Sequence, residues 1–317
     1  HFHADPFTVG LVMATYSLTQ LIAAPVWGRM SDRIGRRPVL LITLAGTAAS
    51  YIWLGFVDSL AALFAARAIG GAMAGNISAA FAYMADITTR EDRAKGMGLI
   101  GAAFGLGFIV GPAIGGLLAG ADPATADYSL PAFAAAGLSL VALVLAVAIL
   151  KESLSEEIRA RIAARPPEQR FQRMVQAFKT PKLGFLIMVS FLATFVFAGM
   201  EATFAMWSER TYAWGPQQNG FLFAGVGIVS AAIQGGLIGR LANRFGEAKL
   251  IIQGSVALAI GMVLIPFSEN LWILALAMAV LAYGFSTLSP SLNSLISLQV
   301  DDENQGAIMG VTRSATT

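Results

Sequence analysis

Arg67 and Glu201 each lie inside a long apolar run, and their positions constrain their chemistry more than those of any other charged residues. A charge at bilayer depth costs at least about 2.5–3.5 kcal/mol on insertion scales, so it faces a cavity or a partner, or snorkels to an interface. Arg67 is only about seven residues, roughly 10 Å, inside its run, which keeps snorkelling open for it. Glu201 shares a helical stripe with Ser190, Thr194 and Ser208, all within about 40° at α-helical spacing. Such a stripe should line a central cavity, where a carboxyl group can carry protons, contact substrate cations or sit in water at the outer mouth. Cysteine is absent, which removes disulfides, thiolate metal sites and thiol nucleophiles. His1 and His3 stand at the start of the chain and are expected in solvent, so no metal site is expected. No histidines or paired carboxylates converge within the apolar runs, which argues against an enzyme.

Three further faces carry softer polar chemistry. They are Tyr16, Gln20, Ala23 and Trp27; Phe223, Gly227, Ser230 and Gln234; and, more loosely, Ser286, Pro290, Asn293 and Ser297. Aromatic and amide groups around a roomy apolar cavity suit a large amphipathic organic ligand. For any single Gln or Asn, ordinary interhelical hydrogen bonding is an equal reading.

The elements that position these residues are membrane spans. Of 317 residues, 56% are apolar and 13% are charged. A soluble domain runs at roughly 45–50% apolar and about 25% charged. That excludes a soluble enzyme, a disordered scaffold and a nucleic-acid binder. A spanning helix needs about 20 apolar residues. Such segments fall near 6–27, 39–57, 60–84, 96–119, 131–150, 183–206, 217–239, 249–268 and 271–297, and a tenth begins near 306. All are too long for the strands of a membrane β-barrel.

Short cytoplasmic loops collect Lys and Arg, and here alternate loops do so. Arg29, Arg33, Arg36 and Arg37 share one, and Arg90, Arg93 and Lys95 the next. The long loop 151–182 holds eight basic residues, and Arg240, Arg244 and Lys249 follow in another. Together these loops carry 18 of the 21 basic residues, which orients every helix. Gly28-Arg29-Met30-Ser31-Asp32-Arg33-Ile34-Gly35 is echoed by Gly239-Arg240-Leu241-Ala242-Asn243-Arg244-Phe245-Gly246, an offset of 211. Gly10 with Gly220, and Gly96 with Gly306, repeat at 210. Parallel six-helix halves would place both copies on the same side. The duplication predicts one helix ahead of His1 and a last one at about 341–360, so the reading is a twelve-span protein cut at both ends. Within the loop 151–182, Phe171, Met174, Val175 and Phe178 have the spacing of a short interfacial helix. Pro166-Pro167 separates them from a stretch where Glu157 and Arg161 can pair.

The run Gly28–Pro38 resembles the signature loop of the major facilitator superfamily, between its second and third helices. A positive-inside tether would need the arginines, but neither Asp32 nor the two glycines at fixed spacing. Gly107-Phe108-Ile109-Val110-Gly111-Pro112-Ala113-Ile114-Gly115-Gly116 is similar to the fifth-helix motif that marks antiporters within that superfamily. Glycines 107, 111 and 115 share a face on which another helix should approach closely, and Pro112 favours a bend. Arg67 with Gly71 resembles the fourth-helix motif associated with proton coupling, although Gly70 departs from its usual polar residue. With the runs Ala74-Gly75-Asn76-Ile77-Ser78 and Gly96-Met97-Gly98-Leu99, the likeness is to the twelve-span drug:proton antiporters, particularly the tetracycline-efflux-like group. In the second loop copy, Asn243 stands where the first has Asp32, and Glu247-Ala248-Lys249 where it has Arg36-Arg37-Pro38. Only the first copy can therefore form a full charge lock.

The resemblance implies an all-α membrane protein of the major facilitator fold. Residues 1–150 would form an N-terminal half lacking its first helix, and 151–182 a cytoplasmic linker. Residues 183–317 would form a C-terminal half lacking the end of its eleventh helix and all of its twelfth. By alternating access the halves would export a drug-like or amphipathic organic solute in exchange for protons, as in tetracycline or multidrug resistance. Gly28, Asp32, Arg33, Gly35, Arg36 and Arg37 would form a conformational lock, Asp32 pairing with arginines and with the helix starting near Gly306. Arg67 and Glu201 would couple protons, and Gly107, Gly111, Pro112, Gly115 and Gly116 form the antiporter motif. Tyr16, Gln20, Trp27, Phe223, Ser230, Gln234 and Asn293 would line the substrate cavity. The expected partners are a small organic substrate, protons and the lipid bilayer, with no nucleic acid. The chain should act as a monomer without a cofactor, energised by the proton gradient. Its place would be the inner cell membrane, multi-pass, with basic loops cytoplasmic. A facilitator or proton symporter for a sugar or metabolite is the near alternative, and a non-transporting membrane receptor the one from another class.

Overall fold

The computed structural model describes residues 5–89, 92–154 and 181–299. Every regular element among them is helical, and nine spans are long and apolar enough to cross a membrane. Each of the nine coincides with an apolar run read from the sequence. The tenth run, the linker stretches with Glu157, Arg161 and Phe171–Phe178, and His1 and His3 lie outside the described residues.

Helix α1 (Pro6–Ile34) opens on Asp5, whose carboxylate accepts the Thr8 N–H at 2.9 Å. It is followed by α2 (Arg36–Gly55), α3 (Leu60–Ala74), α4 (Ile77–Ile87), α5 (Arg93–Ala119) and α6 (Ser129–Ile149). After the linker come α7 (Pro181–Tyr212), α8 (Pro216–Ala232), α9 (Ile238–Phe245), α10 (Glu247–Leu264) and α11 (Leu271–Leu298). The described residues fall into two units. The first holds α1–α4, α6, the two ends of α5 and Ala213–Gln217. The second holds Gly105–Ala113 from the middle of α5 and the rest of the helices from α7 onward.

The expected loop at 28–38 is almost entirely helix. Only Gly35 lies outside α1 and α2, at φ 107° and ψ 159°. Gly246 does the same between α9 and α10, at φ 78° and ψ 153°. Each glycine donates its N–H four residues back, to Ser31 at 3.2 Å and to Ala242 at 2.8 Å. The internal repeat is thus a repeat of backbone conformation. Side chains disfavour this positive-φ geometry, which accounts for glycine at both copies.

Within the first unit α1 crosses α3 closely. A Cβ added at Gly71 would run into the Tyr16 carbonyl, and one at Gly75 would lie 2.8 Å from the Ala24 nitrogen. In lipid, helices gain nothing by hiding apolar faces from water, so close packing of small residues does more to hold them together. The second unit uses the same device, Gly254 lying against the Gly284 carbonyl.

Two spans depart from a plain helix. The run 60–84 is broken at Gly75-Asn76, where the last turn of α3 tightens to long i−3 bonds of 3.4 Å. The run 217–239 contains a π turn at Ile233–Leu237. The extra residue offsets the side chains of α9 by about 100° from the face a continuous helix would present.

Candidate functional site

The charged residues of the signature run gather around Arg36, which is 7% exposed. Its Nη1 donates to Asp32 Oδ1 at 2.5 Å and to Ser31 Oγ at 2.6 Å, and its Nε to Asp86 Oδ2 at 3.2 Å. Asp32 is on the last turns of α1, Arg36 on the first of α2 and Asp86 near the end of α4, so one guanidinium joins three helix ends. Among the described residues two ion pairs form, and Arg36 makes both. The other basic residues of the run behave differently. Arg37 Nη2 donates to the Val147 carbonyl at 3.0 Å, and Arg33 is exposed. Gly28 is buried and Gly35 supplies the turn that brings Arg36 over Asp32. The helix near Gly306, expected as a further partner of Asp32, lies outside the described residues.

Arg67 does not snorkel freely. Its guanidinium carbon lies 4.5 Å above the Tyr16 ring, a cation–π contact between α3 and α1. Such contacts are worth roughly 0.5–2 kcal/mol, the larger figure when desolvated. Thr47, Ser50 and Tyr51 of α2 are among the other residues that line a cavity here of about 10 Å³, near the lower limit for one water molecule. Ser50 donates its hydroxyl to the Ala66 carbonyl at 2.9 Å.

The remaining polar members of the α1 face, expected at the substrate wall, hydrogen-bond to α3. Gln20 Nε2 donates to the Ala74 carbonyl at 3.3 Å, and Trp27 Nε1 to Ala72 at 2.6 Å. Those carbonyls belong to the last turn of α3, so α1 clasps the broken span. Asn76, at the break, donates to Thr43 Oγ1 of α2 at 2.7 Å. Tyr16, Gln20 and Trp27 thus all contact α3, Tyr16 from the rim of the small cavity beside Arg67.

The polar stripe of α7 is also divided. Ser190 and Ser208 are buried, Ser208 donating to Asn219 Oδ1 at 2.8 Å, whereas Glu201 is exposed. In the second unit Phe223 meets Phe204 edge-on at 5.4 Å, Ser230 and Asn293 are half-buried, and Gln234 is exposed within the π turn. The antiporter-type run lies on α5, which stays helical through Pro112. Among the described residues, a Cβ at Gly107, Gly111 or Gly115 would meet no atom within 4 Å. Gly116 is buried. A close approach to this run is made by Gly227 of α8, whose Cβ would lie 2.8 Å from Ile109 and 3.2 Å from the Phe108 carbonyl.

Sequence reasoning missed Asp86, Glu152 and Ser153. Glu152 accepts from the Arg36 and Arg37 backbone N–H groups, and Ser153 Oγ donates to Asp86 at 3.0 Å. The available signal was that Asp86 and Glu152 are acidic residues just past span ends, on the side that otherwise collects arginines.

A family model described as the Major Facilitator Superfamily matches residues 1–317. The tetracycline resistance protein, class C, of Escherichia coli is 36% identical over 320 residues, spanning 99% of this chain and 78% of that protein. Multidrug resistance protein 2 of Bacillus subtilis (strain 168) is 30% identical over 319 residues, spanning 99% of this chain and 77% of its own. The crystal structure of the human organic anion transporter MFSD10 (TETRAN) matches with a TM-score of 0.71 at 30% identity, over 97% of this chain and 74% of that one. This multi-pass, all-helical chain belongs to the major facilitator superfamily of membrane transporters.

Proposed function

We propose that the protein exports a drug-like or amphipathic organic solute in exchange for protons, by alternating access. The observation that carries this reading is a 36% identity, over 99% of the chain, to a protein named for tetracycline resistance. The antiporter-type run at Gly107–Gly116 and the tethered Arg67 support it. Exchange requires proton and substrate to favour different states, since a ligand with equal affinity for both shifts nothing. Arg36, bonded to Asp32 and Asp86, serves in this reading as the lock of one state. Arg67 and Glu201 carry the coupling. The chain acts as a monomer in the inner membrane, with its basic loops cytoplasmic and no cofactor beyond the proton gradient.

Everted membrane vesicles test the proposal directly. Respiration acidifies their interior, so an antiporter should accumulate tetracycline or ethidium inside, saturably, and stop when nigericin collapses the pH gradient. Gradient-independent equilibration of either probe would favour a facilitator. No saturable flux of either would leave a non-transporting receptor as the better account.

A further inference from the structure

The start of α2 is electrostatically awkward. A helix N-terminus presents unbonded N–H groups and partial positive charge, and is stabilised by acidic or capping side chains. Here the cap is Gly35, which has no side chain, and the first two helical residues are Arg36 and Arg37. The second copy of the repeat solves the problem locally, because Gly246 is followed by Glu247 in the first turn of α10. In the first copy the carboxylate comes from 116 residues away. Glu152 Oε1 accepts the Arg36 N–H at 2.9 Å and Oε2 the Arg37 N–H at 3.2 Å. Oε1 also accepts the Leu154 N–H at 3.0 Å, which fixes the carboxylate on its own loop.

We infer that Glu152, at the start of the linker, is a positioning residue for Arg36 and so a working part of the lock; the inference rests on the lock reading proposed above. Glu152 grips the Arg36 main chain while the Arg36 side chain reaches Asp32 and Asp86. Ser153 adds a second stitch, donating to the same Asp86 Oδ2 that accepts from Arg36 Nε. Arg37 adds a third through Val147, on the last turn of α6. Hydrogen bonds of this length weaken steeply when a partner is displaced or misaligned, so releasing the main chain takes the guanidinium off its two carboxylates. The linker's first residues are thereby wired to the lock, and the loop joining the two halves of the sequence senses whether it is closed.

Because the chain contains no cysteine, a single introduced thiol is an unambiguous reporter. Val39 is fully buried one turn beyond Arg36, and Ser286 is fully buried in the second unit. Val39→Cys and Ser286→Cys are placed separately in the parent protein, in Asp32→Asn and in Glu152→Gln, and alkylation by a membrane-permeant maleimide is timed in native membranes. Glu152→Gln keeps the shape of the side chain but removes the charge and turns one acceptor into a donor. The expected result is faster alkylation at position 39 in both variants, by roughly tenfold, the equivalent of about 1.4 kcal/mol. At position 286 the rate should stay at the parent value. If Asp32→Asn is fast at position 39 and Glu152→Gln is not, the lock stands and the role of Glu152 is overturned. If neither is fast, the lock reading itself fails. Equal acceleration at positions 39 and 286 in Glu152→Gln would mean general loosening, and would also overturn the inference.

Discussion

The guanidinium of Arg36 meets Ser31, Asp32 and Asp86 together because its donors form a rigid fork aimed along several directions. A lysine offers one ammonium on a flexible stem and cannot reach both carboxylates in the same way. Arg36→Lys therefore gives up at least one charge-assisted bond, typically about 1.5–3 kcal/mol, discounted here because Asp32 and Asp86 remain partly in water. Proton-driven probe uptake by Arg36→Lys should fall by roughly tenfold at equal abundance in the membrane. Uptake at the parent rate would remove the need for the fork. Gly35 is the second residue on which the site depends. At φ 107° an added Cβ is strained, so Gly35→Ala should lower stability by about 1–2 kcal/mol, read as a fall in melting temperature in detergent. Gly246→Ala should behave alike, because φ is 78° there. Gly35 was legible in the sequence because it repeats as Gly246, 211 residues later, and Asp32 and Arg36 because their spacing around it is local. Glu152 was not, because what it caps lies 116 residues away and only the folded chain brings the two together.

At the scale of elements, the nine apolar runs located the spans because a helix crossing lipid must satisfy its own backbone and remain apolar for about 20 residues. The break at Gly75-Asn76 escaped that reasoning. Hydropathy runs across it without interruption, and what holds it open is a set of hydrogen bonds distant in sequence, donated by Gln20 and Trp27 of α1 and accepted by Thr43 of α2. Gln20 and Trp27, expected at the substrate cavity, are two of the residues bonded to that break. Their bonds to α3 give a discriminating prediction for Trp27→Phe, which keeps the ring and deletes the donor to Ala72. Stability should fall by about 1 kcal/mol, while the KM for a transported probe stays within about twofold. A large change in KM with unaltered stability would return Trp27 to the substrate wall. The N-terminus of α6 gives a prediction in pH. Asp127 accepts the Ser129 hydroxyl at 2.5 Å and the Ser129 N–H at 2.8 Å, and these bonds, the hydroxyl first, hold its pKa below the ordinary carboxylate value. A depressed pKa means that the stabilisation is complete at neutral pH and is lost as pH falls through the ordinary carboxylate range toward the folded value. Hydrogen exchange at the Ser129 amide should accelerate, relative to the intrinsic rate, between about pH 5 and pH 3. Asp127→Asn should flatten that dependence.

For the molecule as a whole, the decisive pattern is the distribution of charge across its two faces. Positively charged loops resist translocation, so 18 of 21 basic residues in alternate loops predict one sidedness for every span at once. The Arg36 cluster, Glu152 and the exposed Thr89 fall on the basic side, whereas the loop between α5 and α6 has acidic Asp122 and Asp127 and no base. Orientation matters to mechanism because an antiporter that exports must take its substrate from the side on which the lock opens. It can be measured without disturbing any of the contacts above. Thr89 and Thr125 are both exposed and lie on loops of opposite character, and the chain contributes no background thiol. In intact cells, Thr125→Cys should react with a membrane-impermeant maleimide and Thr89→Cys should not, and in everted vesicles the order should reverse. The opposite labelling would turn the molecule over, placing the Arg36 lock on the outer face.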